Sequence, residues 1–245
     1  MIVADDGDRL LLITQPDHAW FSAELLSLFR AGGLPEHPRR AELLFAVREH
    51  DNGWRETDSA PHWNSETGRP HDFLTLPREE RIELWQRGTA RYAGEHPYAA
   101  LLITRHALRL HQSRRGQEGW QPFLEYLDEL HQGLIEETGI PEEETEDDYR
   151  WLDLADLLSL GVCNGCNRWR EPFGRYGFQA VFQIEPEKTT LHLDPFPLAG
   201  STAFRIPCRR IPRRAYRGDA DLGGELAGAR WEEIAVRVAP APAPG

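Results

Sequence analysis

Three histidines and three aspartates carry the chemistry that this sequence suggests. At helical spacing, His18 shares a face with Phe21, Leu25 and Leu28, and His50 shares one with Leu43, Ala46 and Val47. His106 shares a third with Ala99, Leu102, Ile103 and Leu110. Three apolar faces therefore each aim an imidazole at the interior. A buried imidazole needs partners for both ring nitrogens, and one metal ion partners a nitrogen from each ring. Asp51 directly follows His50 and adds a hard, charged ligand. Further along, Asp153 and Asp156 stand among Leu152, Leu154, Leu157, Leu158 and Leu160. Three residues apart, they lie on one side of a helix, and a buried carboxylate calls for a metal or an arginine opposite.

The elements that must position these groups are mostly helical. Ile2-Val3-Ala4 and Leu10–Thr14 flank Asp5-Asp6-Gly7-Asp8 as a β-hairpin. Thr14-Gln15-Pro16-Asp17 starts a helix with a capping hydroxyl and an early proline. Helical periodicity then covers residues 16–31, 38–51, 77–94, 97–112, 117–138 and 142–160. The longest non-helical insert, Asn52–Thr75, leaves directly from Asp51, and its two tryptophans mark it as a cover for the site. Beyond Gly161 the period becomes two, with strands over Phe178–Ile184, Thr189–Asp194 and Thr202–Pro207. A short helix over 221–236 and a disordered Ala/Pro tail over 237–245 are expected to close the chain. The expected architecture is a single domain over 1–245. It is mainly α, a helical bundle over 14–160 with a small antiparallel sheet from 1–14 and 177–210 (α+β overall).

Composition narrows the classes. The chain has 245 residues, 40% of them hydrophobic and 28% charged, as in ordinary globular proteins. No apolar run reaches the length of a membrane span, and the first residues lack a signal-peptide pattern, so a cytoplasmic protein is expected. A net charge of −12 argues against nucleic acid and acidic membranes as partners. Homo-oligomerisation is left open. Cys163-Asn-Gly-Cys166 is half of a zinc knuckle without its other half, since Cys208 stands alone, and these cysteines read as inert.

The order His18, His50-Asp51, His106, Asp156, each on its own helix, resembles the HD superfamily of metal-dependent phosphohydrolases. The surrounding text is closer to an uncharacterised bacterial domain-of-unknown-function family related to that superfamily. The matching stretches are Ile13-Thr-Gln-Pro-Asp-His18, Glu49-His-Asp-Asn-Gly-Trp54, Arg105-His106-Ala107 and Asp156-Leu-Leu-Ser-Leu160. The superfamily likeness spans residues 14–160 and implies an HD-domain-like bundle. It makes His18, His50, Asp51 and Asp156 metal ligands, with Asp51 able to bridge two ions. His106 takes the place of the additional histidine of two-metal members. One or two divalent ions are implied, with Mn, Fe, Zn and Ni not distinguished, and Asp153 competes with Asp156 as the last ligand.

Around these ligands, Asp51 and Arg105 are the candidate catalytic groups, and Arg48, Trp54 and His71 the candidate substrate contacts. Arg48, Arg55 and Arg105 adjoin the ligands and could clamp a phosphate or pair with nearby acids. His111 and His131 read as surface residues. The function expected is a metal-dependent hydrolase of a small phosphate ester or nucleotide, a small anionic substrate. A di-iron oxygenase on the same ligands and a non-catalytic ligand sensor are the alternatives.

Overall fold

In the computed structural model, which describes residues 1–164, 176–185 and 188–242, the chain begins as a hairpin. Strands β1 (Ile2–Asp6) and β2 (Arg9–Ile13) pair antiparallel around Gly7, whose φ of 66° suits a residue without Cβ. Helix α1 (Gln15–Ser27) follows at once, because the Thr14 hydroxyl accepts the Asp17 amide at 3.1 Å and Pro16 needs no amide partner in the first turn. Helix α2 (Arg40–Glu49) stops one residue before His50.

The insert after Asp51 is more ordered than its composition predicts. A 3-10 turn over Asn52–Trp54 leads into a short helix α3 (Arg55–Ser59) and a two-stranded ribbon, β3 (Trp63–Asn64) with β4 (Arg69–Pro70). Helices α4 (Arg78–Ala90), α5 (Pro97–His111), α6 (Gln121–Thr138) and α7 (Glu142–Cys163) complete the helical layer. Among the described residues no helix is long and apolar enough to cross a membrane.

The sheet overturns the mainly helical expectation. Strands β5 (Gln179–Glu185), β6 (Lys188–Asp194) and β7 (Thr202–Pro212) precede helix α8 (Asp219–Gly228), and β8 (Trp231–Pro240) follows it. Together with the hairpin they form one six-stranded sheet in the order β1-β2-β7-β8-β6-β5. It is mixed and curled, a half-barrel: β8 runs antiparallel to β7 and parallel to β6. The fold is therefore α+β, a helical layer packed on a six-stranded mixed sheet, and not an HD-type bundle with a small antiparallel appendage.

The expected terminal helix ends at Gly228, and residues expected in a disordered tail are strand up to Pro240. The alternation of Ile234, Val236 and Val238 is a strand signal. What hid it was the Ala/Pro composition around it and the absence of any local cue to its two neighbours.

One large core lies between the sheet and helices α1, α2, α5 and α7, built around Phe21, Leu43, Leu102, Leu158, Ile206 and Val238. A second, aromatic cluster of Trp54, Trp85, Trp120 and Phe123 joins the insert to α4, α5 and α6. Helix α7 reaches the sheet through Gly161, where any Cβ would stand 2.3 Å from the ring of Phe182.

Candidate metal centre

The donors converge where α1, the end of α2, α5 and α7 meet. His18 comes from α1, His106 from α5 and Asp156 from α7. His50 and Asp51 lie just past the end of α2, His50 capping the helix and Asp51 leading into the 3-10 turn. Leaving the helix at this point lets two adjacent side chains face the same way, which the ~100° step of a helix forbids. All five residues are buried.

The spacing is compatible with a coordination shell. His18 Nε2 is 3.0 Å from Asp51 Oδ2 and 3.5 Å from Asp156 Oδ1. His50 Nε2 is 3.5 Å from the same Asp51 oxygen and 3.4 Å from the same Asp156 oxygen. Donors held about 2.1 Å from one ion stand roughly 3.0–3.4 Å apart when adjacent. His106 lies slightly further out, with Nε2 at 3.9 Å from the other oxygen of Asp156. Two groups of donors, His18/His50/Asp51 and His50/His106/Asp156, each fall within 4.8 Å of one another and could hold a metal ion.

The partners of the other ring nitrogens fix the tautomers. His50 Nδ1 lies 2.7 Å from the Val47 carbonyl, so it carries the proton and donates. His18 Nδ1 lies 3.0 Å from Ser159 Oγ, and that hydroxyl donates onward to the His18 carbonyl at 2.9 Å, so His18 Nδ1 donates too. His106 Nδ1 faces the Tyr149 hydroxyl at 3.2 Å, which itself donates to Asp153. With Nδ1 engaged in this way, each ring turns its Nε2 toward a carboxylate oxygen, as a lone pair for a metal ion or with a proton in the metal's place. Among the described residues His50 Nε2 has no partner at good hydrogen-bond geometry, only the two carboxylate oxygens at 3.4 and 3.5 Å. Lone pairs facing anions repel unless a cation or a proton lies between them, and this outer support is how proteins orient metal-binding histidines.

The charges respond accordingly. Burial pulls the His50 pKa down, but Asp51 and Asp156 more than offset it and push it up to about 9. Burial works against the Asp156 carboxylate, yet His50, His106 and His18 hold its pKa at about 2, and Asp51 is lowered for the same reason. Burial keeps His106 below its ordinary value. Asp148 shows how a buried carboxylate here is satisfied without a metal: it accepts from Arg39, from the Tyr98 hydroxyl at 2.7 Å and from His37. Among the described residues, the partners of Asp51 and Asp156 are imidazoles.

A cavity of about 240 Å³ opens onto Asp51, His106 and Asp156. Trp54 and Phe73 from the insert and Trp85 from α4 wall it, so part of the insert does reach the mouth of the site. His18 and His50 lie behind this floor, fully enclosed.

Other expected site residues are placed elsewhere. Arg105 pairs with Glu146 and, at 3.3 Å, with Glu142. Arg48 is exposed on α2, and Arg55 pairs with Glu49. His71 lies by Thr75 in the insert, outside the cavity lining. Asp153 is bound by the Tyr149 and Tyr176 hydroxyls and supports the site from behind. His111 and His131, expected on the surface, are both buried: Trp85, Trp120 and Phe123 enclose His111, which also lines the cavity. Cys163 is buried and burial lifts its thiol pKa to about 12, while Cys166 lies outside the described residues.

Several supporting residues escaped sequence reasoning. Ser159 and Tyr149 orient two of the imidazoles, and Gln15, Arg81 and Arg114 help line the cavity. A signal existed for the first two. Tyr149, Asp153, Asp156 and Ser159 recur at steps of four, three and three along one side of α7.

The structure thus describes an α+β protein with a buried His/Asp cluster suited to a metal ion. The chain belongs to the family described as a protein of unknown function (DUF3891), which it matches over residues 1–213. No curated protein and no solved structure matches it.

Proposed function

We propose that the chain is a metal-dependent hydrolase of small phosphate esters, with one divalent ion held by His18, His50, Asp51 and Asp156. The observation that carries the reading is the shared orientation of the imidazoles. Each has its Nδ1 engaged by a protein oxygen and its Nε2 turned toward a buried carboxylate, toward both Asp51 and Asp156 for His18 and His50 and toward Asp156 for His106. The donor set of imidazoles and carboxylates suits manganese, iron, zinc or nickel. The order of these residues along the chain, which resembles that of HD-type phosphohydrolases, supports phosphate ester chemistry.

A divalent ion at such a site supplies a bound water with a pKa near ~7 and charge to offset the anionic substrate. The residues do the rest. Asp51 and Asp156, which line the cavity, would hold the ion and balance its charge. His106 Nε2, kept neutral by burial and bordering that cavity, is placed to take up a proton from the attacking water. Tyr149 holds the opposite nitrogen of that ring, so the acceptor atom stays aimed.

One ion is favoured over a di-iron pair by His50, which belongs to both donor groups but has one free nitrogen to give. That favours hydrolysis over oxygen chemistry.

The test is metal analysis of tag-free protein together with turnover of p-nitrophenyl phosphate after loading with Mn²⁺, Fe²⁺, Zn²⁺ or Ni²⁺. About one ion per chain and metal-dependent turnover are expected, with both lost in Asp51→Ala. Metal content unchanged by Asp51→Ala would remove the basis for the assignment.

A further inference from the structure

We infer that the cavity above Asp51, His106 and Asp156 takes a compact organic anion, with its charged group held by Arg81 and Arg114 and its apolar body between Trp54, Phe73 and Trp85. This deepens the hydrolase reading and rests on it for the reaction, though not for the binding.

The arginines stand out against the rest of the molecule. With 40 acidic residues to 28 basic ones, arginines here readily find carboxylates, as Arg39, Arg87, Arg91 and Arg115 do. Among the described residues, no carboxylate lies within ion-pair distance of Arg81 or Arg114, and both line this cavity. Arg81 gives one terminal nitrogen to two neutral acceptors, the Leu74 and Leu76 carbonyls at 2.8 and 3.0 Å. Arg114 bonds Gln117 at 3.2 Å and lies over the Trp120 ring. Burial lowers the pKa of Arg81 and Arg114 reinforces it, with Asp72, beyond ion-pair distance, acting the other way. Two arginines lining one cavity, neither neutralised by a carboxylate at ion-pair distance among the described residues, form a site that an oxyanion completes.

Unpartnered polar atoms point the same way. Gln15 Oε1, Trp54 Nε1 and Arg81 Nε are buried without a hydrogen-bond partner, and all three residues line the cavity. Buried polar groups are nearly always paired, and three orphans in the wall of one cavity leave polar capacity there that the described residues do not use. The size limits that ligand. The volume of about 240 Å³ lies below the roughly 300–1,000 Å³ typical of drug-sized ligands, which favours a small ester over a dinucleotide. Apolar surface continues outward, since Leu74 and Leu110, two of the few exposed large hydrophobic residues, also border the cavity.

The probe is phenylphosphonate, a compact aromatic anion with no ester bond to break, titrated calorimetrically into the protein with Mn²⁺ present. Bound manganese is measured in parallel. Phenylphosphonate is expected to bind more tightly than inorganic phosphate, and Arg114→Met to weaken it by about tenfold. Arg81→Met together with Arg114→Met should abolish binding while leaving bound manganese unchanged. Arg81 also staples the insert, so its loss could cost the fold; Arg114 is exposed, and its variant keeps the test decisive. Arg114→Met binding phenylphosphonate like wild type would overturn the inference, as would equal affinity for inorganic phosphate. Arginine-dependent binding without bound manganese would sustain the inference and remove the hydrolase reading. Manganese-dependent turnover with no effect of the arginines would do the reverse.

Discussion

His50 is where protonation and metal binding meet. Its Nε2 faces Asp51 and Asp156, which against the effect of burial lift its pKa to about 9. In the metal-free protein at neutral pH that nitrogen holds a proton, and a metal must displace it. Affinity should therefore rise by about tenfold per pH unit through the neutral range and level off above about 9. Calorimetry at pH 7 in buffers of different ionisation heat should show about one proton released per ion bound. No release would mean that His50 is not a ligand. The sign reverses for stability without metal. The folded-state pKa is raised, so the contribution of this group is full below about 6.5 and fades as pH rises through about 9. Metal-free protein should melt at a lower temperature at pH 9 than at pH 6.5, as far as His50 controls it.

At the scale of elements, the seat of the site is the contact between the 3-10 turn after Asp51 and helix α4. Gly53 and Gly88 let the two backbones touch, and a Cβ on Gly53 would stand 2.2 Å from the Leu84 carbonyl. Asn52 rivets the same contact by donating to the Glu49 and Gly88 carbonyls at 2.8 and 3.0 Å. Because the obstacle is backbone, Gly53→Ala cannot be absorbed by a side-chain rotation. It should lower the melting temperature by about 5–10 °C and weaken metal binding, since His50 and Asp51 immediately precede the turn. Gly133→Ala on α6, where a Cβ meets nothing within 4 Å, should leave metal binding unchanged and match or exceed wild-type stability. Equal behaviour of the two variants in thermal melts would show that this contact does not position the site.

For the whole molecule, β8 is the strand that makes one sheet out of two pieces. On one side it pairs with β7, which carries the N-terminal hairpin, and on the other with β6, which carries β5. Without it, β6 and β7 expose unpaired edges, and Val236 and Val238 leave the main core. Helix α7, the source of Asp156 and Ser159, rests on that sheet at Gly161 and Phe182. A chain ending at Gly228 should therefore lose cooperative unfolding and metal binding together, and circular dichroism melts with size-exclusion chromatography would show it. A truncated chain that melts cooperatively and keeps its metal would show that β8 is dispensable.

What the sequence determined by itself was local. Helical periodicity put His18, His50 and His106 on inward faces, and the cap at Thr14 set the start of α1, because such signals depend on neighbours within one or two turns. Charge neighbours in sequence were misleading: Arg48 and Arg105 adjoin the site residues along the chain, yet helix geometry turns Arg48 to solvent and Arg105 toward Glu142 and Glu146. Arg81 and Arg114 reach the cavity from distant positions. Tertiary structure also separates Asp153 from Asp156. Both lie on one side of α7, but Tyr149 and Tyr176 claim Asp153, while Asp156 faces the imidazoles. The six-stranded sheet was hidden for the same reason. A strand's partners, unlike a helix's, are chosen across the chain, and nothing within Trp231–Pro240 names β6 and β7 as its neighbours.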